Sequence, residues 1–160
     1  MSTGIVVFAW SLKRGGANKR LAEYARRLSL ITDKSPIFTQ REYIELPEKF
    51  DVSYVTESWQ NPAPTLRIAR EAILWAKQRR LQQLWVIAAR PHIRRCVRDL
   101  RFAARDADFK ITIRVKNTYG TYGSWFSADA GQSHTTSRVV WHLRETAIMI
   151  FPWLYRRKAK

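Results

Sequence analysis

Apolar residues follow one another along this chain in two rhythms. Ile5-Val6-Val7-Phe8-Ala9-Trp10 and Leu84-Trp85-Val86-Ile87-Ala88-Ala89 are unbroken runs rich in β-branched and aromatic types, and each predicts a strand buried on both faces, as in the middle of a parallel sheet. After the second run, Ile93, Cys96, Val97, Leu100 and Ala104 recur at helical spacing and form one apolar stripe, with Arg94, Arg98, Arg101 and Arg105 on another face. Leu21, Tyr24, Ala25, Leu28 and Leu30 predict a helix from Asn18 to Leu30. Thr65 stands as the N-cap of a second helix whose buried side is Leu66, Ala69, Ile73, Ala76 and Leu81. A last helix runs from Thr136 or Ser137 through Val140, Leu143, Ala147, Ile148 and Phe151 to Pro152.

Shorter segments complete the pattern. Ile37-Phe38-Thr39 predicts a strand, Val52 to Thr56 alternates like an edge strand, and Phe109 to Val115 alternates like a strand with one exposed face. The order is strand, helix, strand, strand, helix, strand, helix, strand, loop, helix. It predicts a three-layer α/β architecture with a mostly parallel sheet flanked by helices. The irregular stretch from Asn117 to His134, with glycines, tyrosines and a tryptophan, reads as a lid over a site.

Composition narrows the class. At 160 residues the chain suits one core, so a single α/β domain over 1–155 with a basic tail at 156–160 is expected. A hydrophobic content of 46% with seven Trp excludes a disordered chain. No apolar run approaches the roughly 20 residues of a membrane-spanning helix. Gly4 to Trp10 has no basic residue before it, unlike a secretory signal. The one cysteine, Cys96, offers neither disulfide nor metal cluster, and cytoplasmic localisation is expected. His92, His134 and His142 lack metal-ligand spacing, so no metal is expected. The charge is lopsided: 29 Lys and Arg against 13 Asp and Glu give +16, which favours attraction to nucleic acid or anionic lipid.

The candidate chemistry lies where strands pass into helices. Arg90-Pro91-His92 follows the central apolar run, with Pro91 in the first helical turn where its missing N–H costs nothing. Backbone amides, the helix dipole, His92, Arg90, Arg94 and Arg95 would converge there as an anion site, at the sheet edge where open α/β folds bind ligands. The first strand opens into a turn holding Lys13, Arg14, Gly15 and Gly16, where paired glycines let backbone approach a phosphate; a plain strand-to-helix turn is the other reading. A phosphate or sulfate is expected where the two turns meet. His92 with Glu57 would form an acid/base pair across neighbouring strand ends. The plainer readings are a solvated face for Arg98, Arg101 and Arg105, an exposed loop carboxylate for Glu57, and a partner of His142 or a surface ion pair for Glu145.

With these residues placed, the chain resembles the bacterial domain of unknown function 218 family of SanA- and YdcF-like proteins, as a divergent member. Glu57 and Ser58 with Thr65, then Ala88-Ala89-Arg90-Pro91-His92-Ile93-Arg94-Arg95 as the His-x-x-Arg segment, then Glu145 in the C-terminal helix carry the resemblance. Thr39-Gln40-Arg41 stands where the family favours Ser-Gly-Gly, and Gly15 and Gly16 come later than its glycine turn. The resemblance implies a Rossmann-like fold, a pocket at the strand carboxyl ends with Thr39, Thr65 and Glu145 among its residues, and S-adenosylmethionine or a nucleotide as ligand. It leaves transferase and hydrolase activity equally open. Two functions follow for testing: binding of a small anionic ligand at that pocket, or a non-enzymatic basic module that binds polyanions such as nucleic acid or an anionic membrane surface.

Overall fold

The computed structural model describes residues 1–12, 16–55, 64–118, 122–126 and 137–151. Lys13, Arg14, Gly15, Glu57, most of the 117–134 stretch and the basic tail at 156–160 lie outside the described residues. In chain order the elements are β1 (Thr3–Val7), α1 (Gly16–Ile31), β2 (Ile37–Thr39), β3 (Val52–Tyr54), α2 (Thr65–Gln78), β4 (Gln83–Ile87), α3 (Ile93–Asp106), β5 (Thr112–Val115), a 3-10 turn (Tyr122–Trp125) and α4 (Arg138–Ile150). The sheet order is β3-β2-β1-β4-β5 and every pairing is parallel. This is a three-layer, Rossmann-like α/β fold. The central run does lie inside the sheet, with β4 paired to β1 through Val6↔Val86 and to β5 through Leu84↔Ile113.

Both central strands are apolar on both faces because each face meets its own core. Val6, Phe8, Leu84, Val86 and Ala88 face α2 and α3, while Ile5, Val7, Ile87 and Ala89 face α1, Trp125 and Trp141. Each fully buried Val, Leu or Ile contributes roughly 1.5–3 kcal/mol, so a strand with two covered faces is held far better than one at an edge. Gly4 has a packing reason: a Cβ there would meet Leu81 Cδ1 at 2.5 Å and Trp75 Cη2 at 2.9 Å. β5 is at one edge of the sheet, and its Thr112, Arg114 and Val115 are exposed.

Three local expectations are corrected. Thr65 is not an N-cap; it is the first helical residue of α2, and Pro64 holds the cap position with no side-chain cap bond. Proline's fixed φ, here −58°, suits the cap, and its carbonyl accepts from the Arg67 and Ile68 amides. Helix α1 starts at Gly16, φ +52°, before Asn18. Asn18 is buried and ties the β1–α1 turn, its Oδ1 accepting from the Trp10 amide at 2.8 Å and its Nδ2 donating to the Ser11 carbonyl at 2.7 Å. The apolar residues that traced α4 are mostly on its outside: Val140, Leu143 and Phe151 are exposed, and the inward residues are Trp141, Glu145 and Ile148.

Candidate functional site

The sheet order reverses direction between β1 and β4, and at such a switch point the two strand ends part to leave a crevice. After β4, the small Ala88 and Ala89 let the chain turn tightly, and the Ala89 carbonyl accepts from the His92 and Ile93 amides. His92 therefore enters α3 with its ring turned into the protein, 5% exposed. It sits edge-on to Phe8 and Trp141, with ring centroids at 6.4 and 5.6 Å, and 6.2 Å from Trp10.

One helical turn later Arg95 is also buried, and it was expected to face a ligand. Its Nη2 donates to His92 Nδ1 at 3.1 Å, and its Nη1 lies 2.8 Å from Glu145 Oε1. Its guanidinium stands over the Trp141 ring at 5.4 Å. A guanidinium can only donate, so Nδ1 accepts and the proton of the neutral imidazole is on Nε2. A further turn along, Arg98 donates to the Ile148 carbonyl at 3.3 Å and to Asp99 at 2.9 and 3.0 Å. His92, Arg95 and Arg98 thus meet Trp141, Glu145 and Ile148 in matching steps, a polar seam between α3 and α4.

The seam is under-satisfied. Arg95 Nε is buried without a hydrogen-bond partner, and Glu145 Oε1 faces its arginine at ion-pair distance without an aligned hydrogen bond. Burial pushes the Glu145 carboxyl above the usual carboxylate range, and Arg95 beside it pulls only part of the way back. The neighbouring Cys96 is wholly buried, which pushes its thiol well up and keeps it from acting as a nucleophile.

The other candidates separate. Arg90 is exposed at the rim of a cleft of about 390 Å³ at the carboxyl ends of β4 and β5, lined also by Ala88, Ile93, Lys116, Asn117 and Thr118. Thr118 closes its floor by donating to the Ala88 carbonyl at 3.2 Å. Arg94 points away, into a groove of about 1030 Å³ between the outer face of α3 and β5, beside Arg101, Arg105 and Lys110. Thr39 is buried and spends its hydroxyl on the Val7 carbonyl at 3.1 Å, and Thr65 is buried in α2, so neither faces the cleft. Gly16 lies in a depression along α1 with Lys19 and Arg26. Among the described residues of the turn after β1, the Ala9 amide donates to Gln40 Oε1 at 2.8 Å and the Trp10 amide to Asn18 Oδ1.

Of the expected site residues, the structure brings together His92, Arg95 and Glu145, with Arg90 at the rim nearby, and disperses Arg94, Thr39, Thr65 and Gly16. Trp10, Trp141, Asn18, Lys116, Asn117 and Thr118 were missed. Trp141 lies four residues before Glu145, one helical turn, so a search for what shares Glu145's face would have found it. Among the described residues no group of three or more His, Cys, Asp or Glu could hold a metal ion, and no helix is long and apolar enough to cross a membrane. Comparison with protein-family models, curated proteins and solved structures gives no match.

Proposed function

We propose that the protein binds a small phosphate- or nucleotide-like anion at the carboxyl ends of β4 and β5, Arg90 and Lys116 supplying charge and Asn117 and Thr118 supplying polar contacts. The observation that carries this reading is the convergence of the neighbours His92 and Arg95 with Glu145, remote in sequence, at the start of α3, where the adjoining Arg90 and Ile93 line a cleft with basic walls. These are also residues on which the resemblance to the SanA- and YdcF-like proteins rests, and membership of that family, with S-adenosylmethionine or a nucleotide as ligand, is part of the proposal. In it, Arg95 and Glu145 are positioning residues that fix His92 in the form protonated at Nε2, a hydrogen-bond donor. A cytoplasmic setting suits a chain whose one thiol is free and buried.

Titration calorimetry with ATP, ADP and S-adenosylmethionine tests the reading. Arg90→Ala with Lys116→Ala abolishes saturable binding, since each charge-assisted hydrogen bond is worth roughly 1.5–3 kcal/mol. Arg101→Ala with Arg105→Ala removes equal charge from the outer face of α3 and leaves it intact. Equal weakening by both pairs, or affinity that collapses by orders of magnitude between low and physiological salt, would instead mark a diffuse polyanion binder.

A further inference from the structure

Helix α4 has apolar residues on two sides. Trp141 and Ile148 turn inward, while Val139, Leu143 and Ile150 are 68%, 69% and 62% exposed, and Val140 and Phe151 are 45% and 49% exposed. At 100° per residue the exposed set spans one continuous arc opposite the Trp141–Glu145–Ile148 stripe. A helix apolar all round is normally covered all round, and such a patch marks an interaction surface.

Charge identifies the occupant. The exposed Arg144 borders the arc on one side, and the exposed Arg138 opens the helix. Glu145, the one carboxylate in the helix sequence, is turned inward onto Arg95 and leaves the outer face without negative charge. The sequence that follows continues in kind, with Trp153, Leu154 and Tyr155 before Arg156, Arg157, Lys158 and Lys160, and no acid. Aliphatic and aromatic residues bordered by cations are the composition of a helix lying in a membrane interface, where the apolar arc enters the acyl boundary and the cations meet lipid phosphates. A second copy would set like charges of a +16 chain against each other. Nucleic acid would satisfy the arginines but leave aliphatic side chains in water.

We propose that the outer face of α4 docks this protein on an anionic lipid bilayer, a binding surface distinct from the ligand cleft. The inner face of the same helix packs on His92 and Arg95, so the docked helix is the one that covers them.

The test is co-sedimentation of the full chain with vesicles of phosphatidylcholine alone and of phosphatidylcholine with phosphatidylglycerol. The protein pellets with the anionic vesicles and at least about tenfold less with the neutral ones. Leu143→Glu with Ile150→Glu weakens pelleting by at least about tenfold with an unchanged melting temperature, because both positions are exposed. Arg101→Ala with Arg105→Ala changes it less than about threefold, being on another face. Anionic-vesicle binding unaffected by the glutamates overturns the proposal in favour of undirected charge. Absence of vesicle binding overturns it too, and light scattering then separates a dimer that the glutamates dissolve from a monomer. A melting temperature lowered by the glutamates overturns it in a third way, by showing that the chain itself covers the arc.

Discussion

Two faces of α3 treat arginine in opposite ways. Arg95 is 5% exposed, bound to His92 and facing Glu145, whereas Arg101 and Arg105, on the far side, are exposed along the open groove against β5. The residue type is the same and the helix is the same. What differs is the opposing element: α4 lies over one face and removes water, so a charge there needs its partner, while water itself solvates the other. A buried ion pair is costly to break without being a large net source of stability, because desolvation cancels much of the attraction.

Breaking the pair from one side should have the largest effect. Arg95→Ala strands Glu145 and costs about 3–5 kcal/mol in urea unfolding, whereas Arg101→Ala stays within about 0.5 kcal/mol. Equal costs would mean that burial is not what separates the faces. Replacing both partners sharpens the point: Arg95→Met with Glu145→Leu should lie within about 2 kcal/mol of the parent, on either side, since no charge is left unpaired.

A smaller effect distinguishes two carboxylates. Burial raises Glu145 above its unfolded value, so in the window between the two values the folded state holds more protons than the unfolded state and its stability falls as pH rises. Glu23 is the reverse, held down chiefly by the hydrogen bond from Arg27 and further by the Arg26 and Arg27 charges, so its contribution is present at neutral pH and lost as pH falls. An NMR titration should find Glu145 losing its proton well after Glu23. Glu145→Gln should flatten the fall in stability through that window. Both carboxylates titrating together would refute the contrast.

The thiol offers a finer probe of the sheet-facing side of α3. Cys96 should resist alkylation in the native protein and react fully in urea; rapid native reaction would mean that α3 lifts readily from the sheet. Smallest of all, Arg101→Ala with Arg105→Ala should shift the melting temperature by less than about 3 °C while reducing retention on heparin.

This contrast explains how far the sequence could be read. The unbroken runs at Ile5 and Leu84 placed the two central strands, since only a strand covered on both sides tolerates such a run, and the Cys96–Leu100–Ala104 stripe placed α3 against the sheet. Periodicity along one helix cannot say what a remote helix will cover. Arg95 lies beside the apolar stripe, so its fate depended on where α4 docks. On α4 itself both arcs are apolar, and the inward one was chosen by Trp141 packing on Trp10 at 4.4 Å rather than by count of hydrophobic residues. Glu145 was reached through the family resemblance, not through periodicity. The same resemblance implies Thr39 and Thr65 as pocket residues, but one is committed to the Val7 carbonyl and the other is buried at the start of α2.

The Trp10–Trp141 contact also orders events at the ribosome. It joins the first strand to the last helix, alongside the bond from Trp10 Nε1 to the Trp125 carbonyl, so some of the longest loops in the chain must close before His92 is covered. All five strands of the sheet have been translated once Val115 is made. At about 5–20 residues per second the segment through α4 follows on the order of seconds later. Until α4 is made, every strand of the sheet has been translated while Arg95 has no Glu145 to pair with, so the seam is among the last parts of the fold to assemble.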